Sequence, residues 1–197
     1  YYTRMFNQIT NYTLLAVPFF VLMGVMLERT GVAEDLYSSL YLWFGGVPGG
    51  LAITTILIGT VMAACVGVIA ASTMMLALVG IPAMLKRGYS KPLATGSVCA
   101  GGTLGILIPP SVPLVVYGIL TEQNIAKLFV SAVIPGLLAA VGYIITIAIM
   151  ARLRPDSAGT PYPRVPYGER FRMLLGIWPV LLVFGLVVGG IYAGIFT

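Results

Sequence analysis

Residues 101–113 read GGTLGILIPPSVP, placing three glycines and three prolines inside a stretch otherwise apolar enough to sit in a membrane. Proline has no N–H, so in a helix it leaves the carbonyl four residues back without its partner, and glycine lets the chain bend there. Pro109 and Pro110 are therefore expected to free carbonyls around Thr103, Leu104, Gly105 and Ile106. Each such group costs several kcal/mol if it faces hydrocarbon, so a broken helix at membrane depth lines something polar. Unpaired carbonyls in a dry setting are good ligands for a hard cation.

A second interruption lies at Cys65-Val66-Gly67-Val68-Ile69-Ala70-Ala71-Ser72-Thr73, in the middle of an uncharged run. An arm ending near Ala64 to Gly67 presents carbonyls at the negative end of a helix dipole. A following arm beginning near Ser72 presents N–H groups at the positive end. One end favours a cation and the other an anion, the pairing by which discontinuous helices hold a coupling ion beside an anionic substrate in secondary transporters.

Blander readings compete at each position. A lone Gly or Pro in a span usually just kinks a packed helix, and the hydroxyls of Ser72, Thr73, Thr103 and Ser111, taken singly, more often bond back onto their own helix than ligate anything. Two breaks in adjacent segments tip the balance toward an ion or substrate site. Enzymatic chemistry is disfavoured: Ser72 or Ser111 would be the nucleophile, but the chain has no His and no Lys or Asp within a span to activate either. All six acidic residues, Glu28, Glu34, Asp35, Glu122, Asp156 and Glu169, fall in expected loops or helix ends, so no carboxylate relay for protons crosses the membrane here. Sodium held by backbone and hydroxyl oxygens is the simpler coupling ion. Cys65 and Cys99 lack metal spacing and read as small core side chains.

The elements that must position these breaks follow from composition. The chain is 59% hydrophobic and 9% charged, with a mean hydropathy of +1.00, which makes it an all-α integral membrane protein. Its net charge of +5 comes from short basic clusters between apolar runs, the pattern of cytoplasmic loops rather than of a nucleic-acid surface. We read residues 1–50 as a first transmembrane helix and an interfacial amphipathic helix, 51–86 as a re-entrant hairpin, and 87–127 as a broken transmembrane helix. A clean span follows over 128–152, then a proline-rich, arginine-rich cytoplasmic loop over 153–172 and a last span over 173–197. The hairpin assignment rests on length: Leu51 to Leu85 is a 35-residue uncharged run, too long for one crossing and too short for two. Placing Lys86 to Lys91 in the cytoplasm returns the arginine-rich loop to the same side and leaves Glu122 outside, as the positive-inside rule requires. With Tyr1 at the start and an apolar run up to Thr197, the chain is expected to be a fragment of a longer protein.

GGTLGILIPPSVPLVVYG at 101–118, AMLKRGYSKPLATG at 83–96, SAVIPGLL at 131–138, LERTG at 27–31 and GGIYAGIFT at 189–197 together resemble the large membrane subunit of TRAP transporters, the tripartite ATP-independent periplasmic uptake systems. The resemblance runs the whole length. It implies an elevator-type fold built from inverted repeats, each with a re-entrant hairpin and a broken helix, of which this chain is the first repeat and the connection to the second. It further implies a multi-pass protein of the bacterial inner membrane that couples sodium entry to uptake of an organic acid, delivered by a periplasmic binding protein, beside a small membrane subunit. By that likeness sodium lies between the hairpin tip and the broken helix, with Gly67, Ser72, Thr73, Gly102, Thr103, Gly105 and Ile108 as expected ligands. The substrate carboxylate is expected at Ala71, Ser72, Pro109, Pro110 and Ser111. The tip is less polar than the Ser-Gly-Ser of many members. No cofactor other than the coupling ion is implied. Alternatives are a related sodium/carboxylate symporter without a binding protein, and a passive channel or membrane scaffold, which would not depend on a sodium gradient.

Overall fold

The computed structural model describes residues 16–44, 46–66 and 69–160, with isolated positions elsewhere. The expected last span, residues 161–172 of the preceding loop, and Gly67 at the hairpin tip lie outside the described residues. Within them the fold is helical: α1 Ala16–Arg29, α2 Val32–Phe44, α3 Gly50–Val66, α4 Ile69–Lys86, α5 Lys91–Leu107, α6 Val112–Leu120 and α7 Ile125–Leu153, closed by a 3-10 turn at Pro155–Ser157.

The centre of the bundle is α3. It carries no charge and no polar face, and a helix apolar all round has to be buried. Accordingly Leu51, Ile56, Ile58, Met62 and Ala63 are enclosed, and α3 touches α1, α2, α4, α5 and α7. The short glycine- and proline-rich linker between α3 and its predecessor turns on Gly49, whose positive φ of 77° suits a residue without Cβ. α2 covers the same region with Leu36, which is buried against the core.

The uncharged run over 51–85 holds two helices, α3 Gly50–Val66 and α4 Ile69–Lys86, with residues 67–68 outside the described residues. Their open ends lie together, because the Tyr89 hydroxyl, just past α4, accepts from the Leu51 N–H at the start of α3 at 3.2 Å. Each is short for a crossing: 17 residues in α3 and 18 in α4 span about 26–27 Å against a hydrocarbon core of about 30 Å. The two helices lie against each other with their open ends adjacent, an antiparallel pair of hairpin form. Residues 69–71 are already helical, ahead of the expected start at Ser72, which puts Ser72 within α4.

The stretch from Lys91 to Leu120 is apolar and long enough to cross a membrane, but it is two helices, α5 and α6, parted at Ile108 to Ser111. α7 is the clean span, 29 residues entered through Asn124, whose side chain accepts from the Lys127 N–H at 3.1 Å. One face of α7, Gly136, Ala140, Ile147 and Ala151, is buried, while Ile134, Leu138, Val141, Ile145 and Ile149 are exposed. The buried face, which also includes Phe129, mixes small and large residues, and the exposed face is largely apolar, as suits a helix whose outer solvent is lipid.

The basic segments meet at one end. Ser90 N–H donates to the Ser157 carbonyl at 3.1 Å, Thr160 N–H to the Arg87 carbonyl at 3.0 Å, and Tyr89 forms an isolated antiparallel bridge with Ala158. This ties the turn between α4 and α5 to the segment after α7, a stretch expected to be irregular. Arg87 lies 5.4 Å over the Tyr41 ring of α2. Burial pushes the Tyr89 phenol above the usual tyrosine range, opposed by the hydrogen bond from Leu51 and by the Arg87 charge.

Candidate functional site

The two interruptions meet through α5. A Cβ placed on Gly102 would overlap the Thr73 hydroxyl and lie 2.8 Å from the Thr73 Cβ, so the first turns of α4 rest directly on the α5 backbone. One turn on, Gly105 faces the Ser72 hydroxyl and Ala63 of α3, with 3.7 Å to Ser72 Oγ. On the α3 side the approach is peptide on peptide: a Cβ on Gly59 would come within 2.6 Å of the Gly101 carbonyl oxygen. Residues 69–73 and 102–108, distant in sequence, therefore share one locus beside the broken helix.

The polar atoms there fall into distinct classes. Ser72 is 1% exposed, and its hydroxyl donates to the Ile69 carbonyl at 3.2 Å. Thr73 Oγ1 is buried with no hydrogen-bond partner among the described residues, on the surface that meets Gly102. Thr103 is exposed and donates to Ala100 at 2.8 Å. Ser111 is fully buried and donates to the Ile106 carbonyl at 2.7 Å. Bonding back onto the same helix, the blander expectation for these hydroxyls, thus holds for Ser72 and Thr103, while Ser111 reaches across the break to the end of α5.

The carbonyls differ from the expectation in a definite way. Ile108 precedes the prolines and keeps its N–H, which donates to Leu104 at 2.9 Å, so the Leu104 carbonyl is not freed. The missing donors at Pro109 and Pro110 belong to Gly105 and Ile106, and Ser111 takes over the second. The carbonyl of Gly105 has its helical donor replaced by Pro109, and the Cβ side of the same residue meets Ser72 of α4. Pro109 and Pro110 are buried, and Ile108, 5% exposed, packs beside Gly136 of α7. Ala71 lies in the first turn of α4. No group of three or more His, Cys, Asp or Glu suited to a transition metal occurs among the described residues.

Reading the sequence alone missed Gly59, Gly101 and Ala63. The signal was present: Thr55, Gly59 and Ala63 in α3, and Ser97, Gly101 and Gly105 in α5, place small residues every fourth position, the spacing that lets membrane helices approach closely. It also missed Thr54, fully buried with an unpartnered hydroxyl in α3.

Comparison with known proteins gives the chain its relatives. Residues 2–197 match the family model described as tripartite ATP-independent periplasmic transporter, DctM component. The chain is 38% identical over 195 residues to the C4-dicarboxylate TRAP transporter large permease protein DctM of Pseudomonas aeruginosa, covering 98% of this chain and 45% of that protein. It is 40% identical over 190 residues to the protein of the same description from Vibrio cholerae, covering 95% and 41%. The sialic acid TRAP transporter large permease protein SiaM of Vibrio cholerae is 31% identical over 194 residues, with 98% and 45% covered. The chain spans less than half the length of these relatives. Its helices, its paired interruptions and a family match over nearly every residue lead to one assignment: the chain belongs to the DctM component family of tripartite ATP-independent periplasmic transporters.

Proposed function

We propose that this chain forms the first half of a secondary carrier that couples sodium entry to uptake of an organic acid across the bacterial inner membrane, working with a periplasmic binding protein and a small membrane subunit. The observation that carries this reading is the meeting of the hairpin with the broken helix: Thr73, its hydroxyl unpartnered, lies on Gly102 one turn from the carbonyl of Gly105, whose donor position is Pro109. In this reading the α3–α4 hairpin is re-entrant from the cytoplasmic side, the hairpin and α5 move together in an elevator-type cycle, and sodium binds among Gly67, Ser72, Thr73, Gly102, Gly105 and Ile108, with Thr103 exposed and turned away. The amide end of α4 at Ala71 and Ser72, opposite Pro109, Pro110 and Ser111, receives the substrate carboxylate. Relatives named for C4-dicarboxylates and sialic acid support a carboxylate as the class.

The test uses the full-length protein with its partners in proteoliposomes. Thr73→Val keeps the shape and removes the hydroxyl, and is expected to raise the half-saturating sodium concentration by about tenfold, the scale of a lost polar contact to a charge. An unchanged sodium dependence removes Thr73 from the ion site. Uptake that persists without any sodium gradient favours the channel reading and overturns the coupled one.

A further inference from the structure

We propose that the end of the molecule where residues 86–91 meet residues 152–160 is a binding surface for anionic phospholipid headgroups. Lys86 and Lys91 come from the turn between α4 and α5, Arg152 and Arg154 from the end of α7, and all four are exposed. About sixty residues separate the pairs in sequence. The Tyr89–Ala158 bridge and the hydrogen bonds from Ser90 to Ser157 and from Thr160 to Arg87 hold them together. Arg87 is engaged over the Tyr41 ring and is not counted among the lipid contacts. The same two segments carry a single carboxylate, the exposed Asp156, so the surface keeps an excess of positive charge.

Depth and neighbours choose a lipid over a soluble anion. The 29 residues of α7 span about 43 Å against a hydrocarbon core of about 30 Å, so its last turn stands at headgroup level. Exposed apolar side chains alternate with the cations: Leu85 beside Lys86, and Leu153, 77% exposed, between Arg152 and Arg154, with Ile149 and Met150 below. A phosphate on the guanidinium and ammonium groups, with its acyl chains along Leu85, Ile149 and Leu153, satisfies both kinds of surface at once. A free phosphate satisfies only the charges. The surface is independent of the transport reading.

The experiment measures lipid retention by the purified full-length protein, using native mass spectrometry and titration with phosphatidylglycerol, phosphatidylethanolamine and glycerol phosphate. Phosphatidylglycerol is expected to bind in preference to phosphatidylethanolamine. Replacing Lys86, Lys91, Arg152 and Arg154 by Gln one at a time is expected to weaken it by about fivefold per charge at low salt, whereas Lys127→Gln at the opposite end changes nothing. Arg154→Lys, which keeps the charge, retains binding and separates loss of charge from loss of fold. Equal retention of both lipids, equal binding by the Gln variants, or displacement by glycerol phosphate at the same concentration as by the lipid would each overturn the proposal.

Discussion

Alanine at Gly102 tests whether the hairpin rests on the broken helix as described. The added methyl overlaps the Thr73 hydroxyl and falls 2.8 Å from Thr73 Cβ and 3.1 Å from Thr73 Cα. Rotating the hydroxyl away removes the first clash only. The other two involve Cβ and backbone, which cannot rotate aside, so α4 and α5 must separate by roughly half an ångström or more to regain ordinary contact near 3.5–4.0 Å. Overpacking of that kind costs about 1–3 kcal/mol. Gly105→Ala is the internal control, since its methyl meets nothing closer than 3.7 Å. In the purified full-length protein, Gly102→Ala is expected to lower the thermal unfolding midpoint and sodium-dependent uptake together, and Gly105→Ala to leave stability unchanged. Thr73→Gly on the Gly102→Ala background removes the opposing side chain and is expected to restore part of the loss. Equal stability of the two alanine variants, or no recovery in the double variant, would refute the contact.

Three further expectations follow from the same geometry. Gly59→Ala places a methyl within 2.6–2.8 Å of the Gly101 backbone, where no side chain can yield, so it is expected to reduce folded protein more than Gly102→Ala, as read by monodisperse yield in gel filtration. Tyr89→Phe removes the acceptor for the Leu51 N–H and leaves that buried donor unpaired, costing about 1–3 kcal/mol in thermal stability with no change in membrane insertion. The Tyr89 phenol also sets a pH dependence: its folded value is raised above 10.0, so the folded state keeps a proton that the unfolded chain releases, and stability present below pH 10 declines as pH rises from there through the raised value. The decline should be smaller in Tyr89→Phe, and melting curves of the two proteins across that range decide it.

Much of this arrangement is legible in the residues. An uncharged run of hairpin length has to fold back, and adjacent prolines have to break a helix, whatever surrounds them. Helices α3 and α4, α5 and α6, and α7 fall in the ranges 51–86, 87–127 and 128–152 within a residue or three at their ends. Finer detail was lost for two physical reasons. Donors in a helix reach four residues back, so prolines at 109 and 110 deprive 105 and 106 alone; counting Leu104 among the freed carbonyls overlooked the N–H of Ile108. Successive helical residues also turn by about 100°, so Gly102 and Thr103 cannot both face the hairpin, and Thr103 is the exposed one. Nothing local to Ser72 marks the helix start, because no capping side chain precedes Ile69 and an apolar turn begins as readily there. The Tyr89–Ala158 bridge joins residues far apart in the chain, and no periodicity announces it.

Where Gly59 meets Gly101, main chain bears on main chain with no intervening side chain to compress or swing aside. Such a seam transmits a push without absorbing it. Neither helix can move toward the other there, and the two can part only by giving up the contact as a whole.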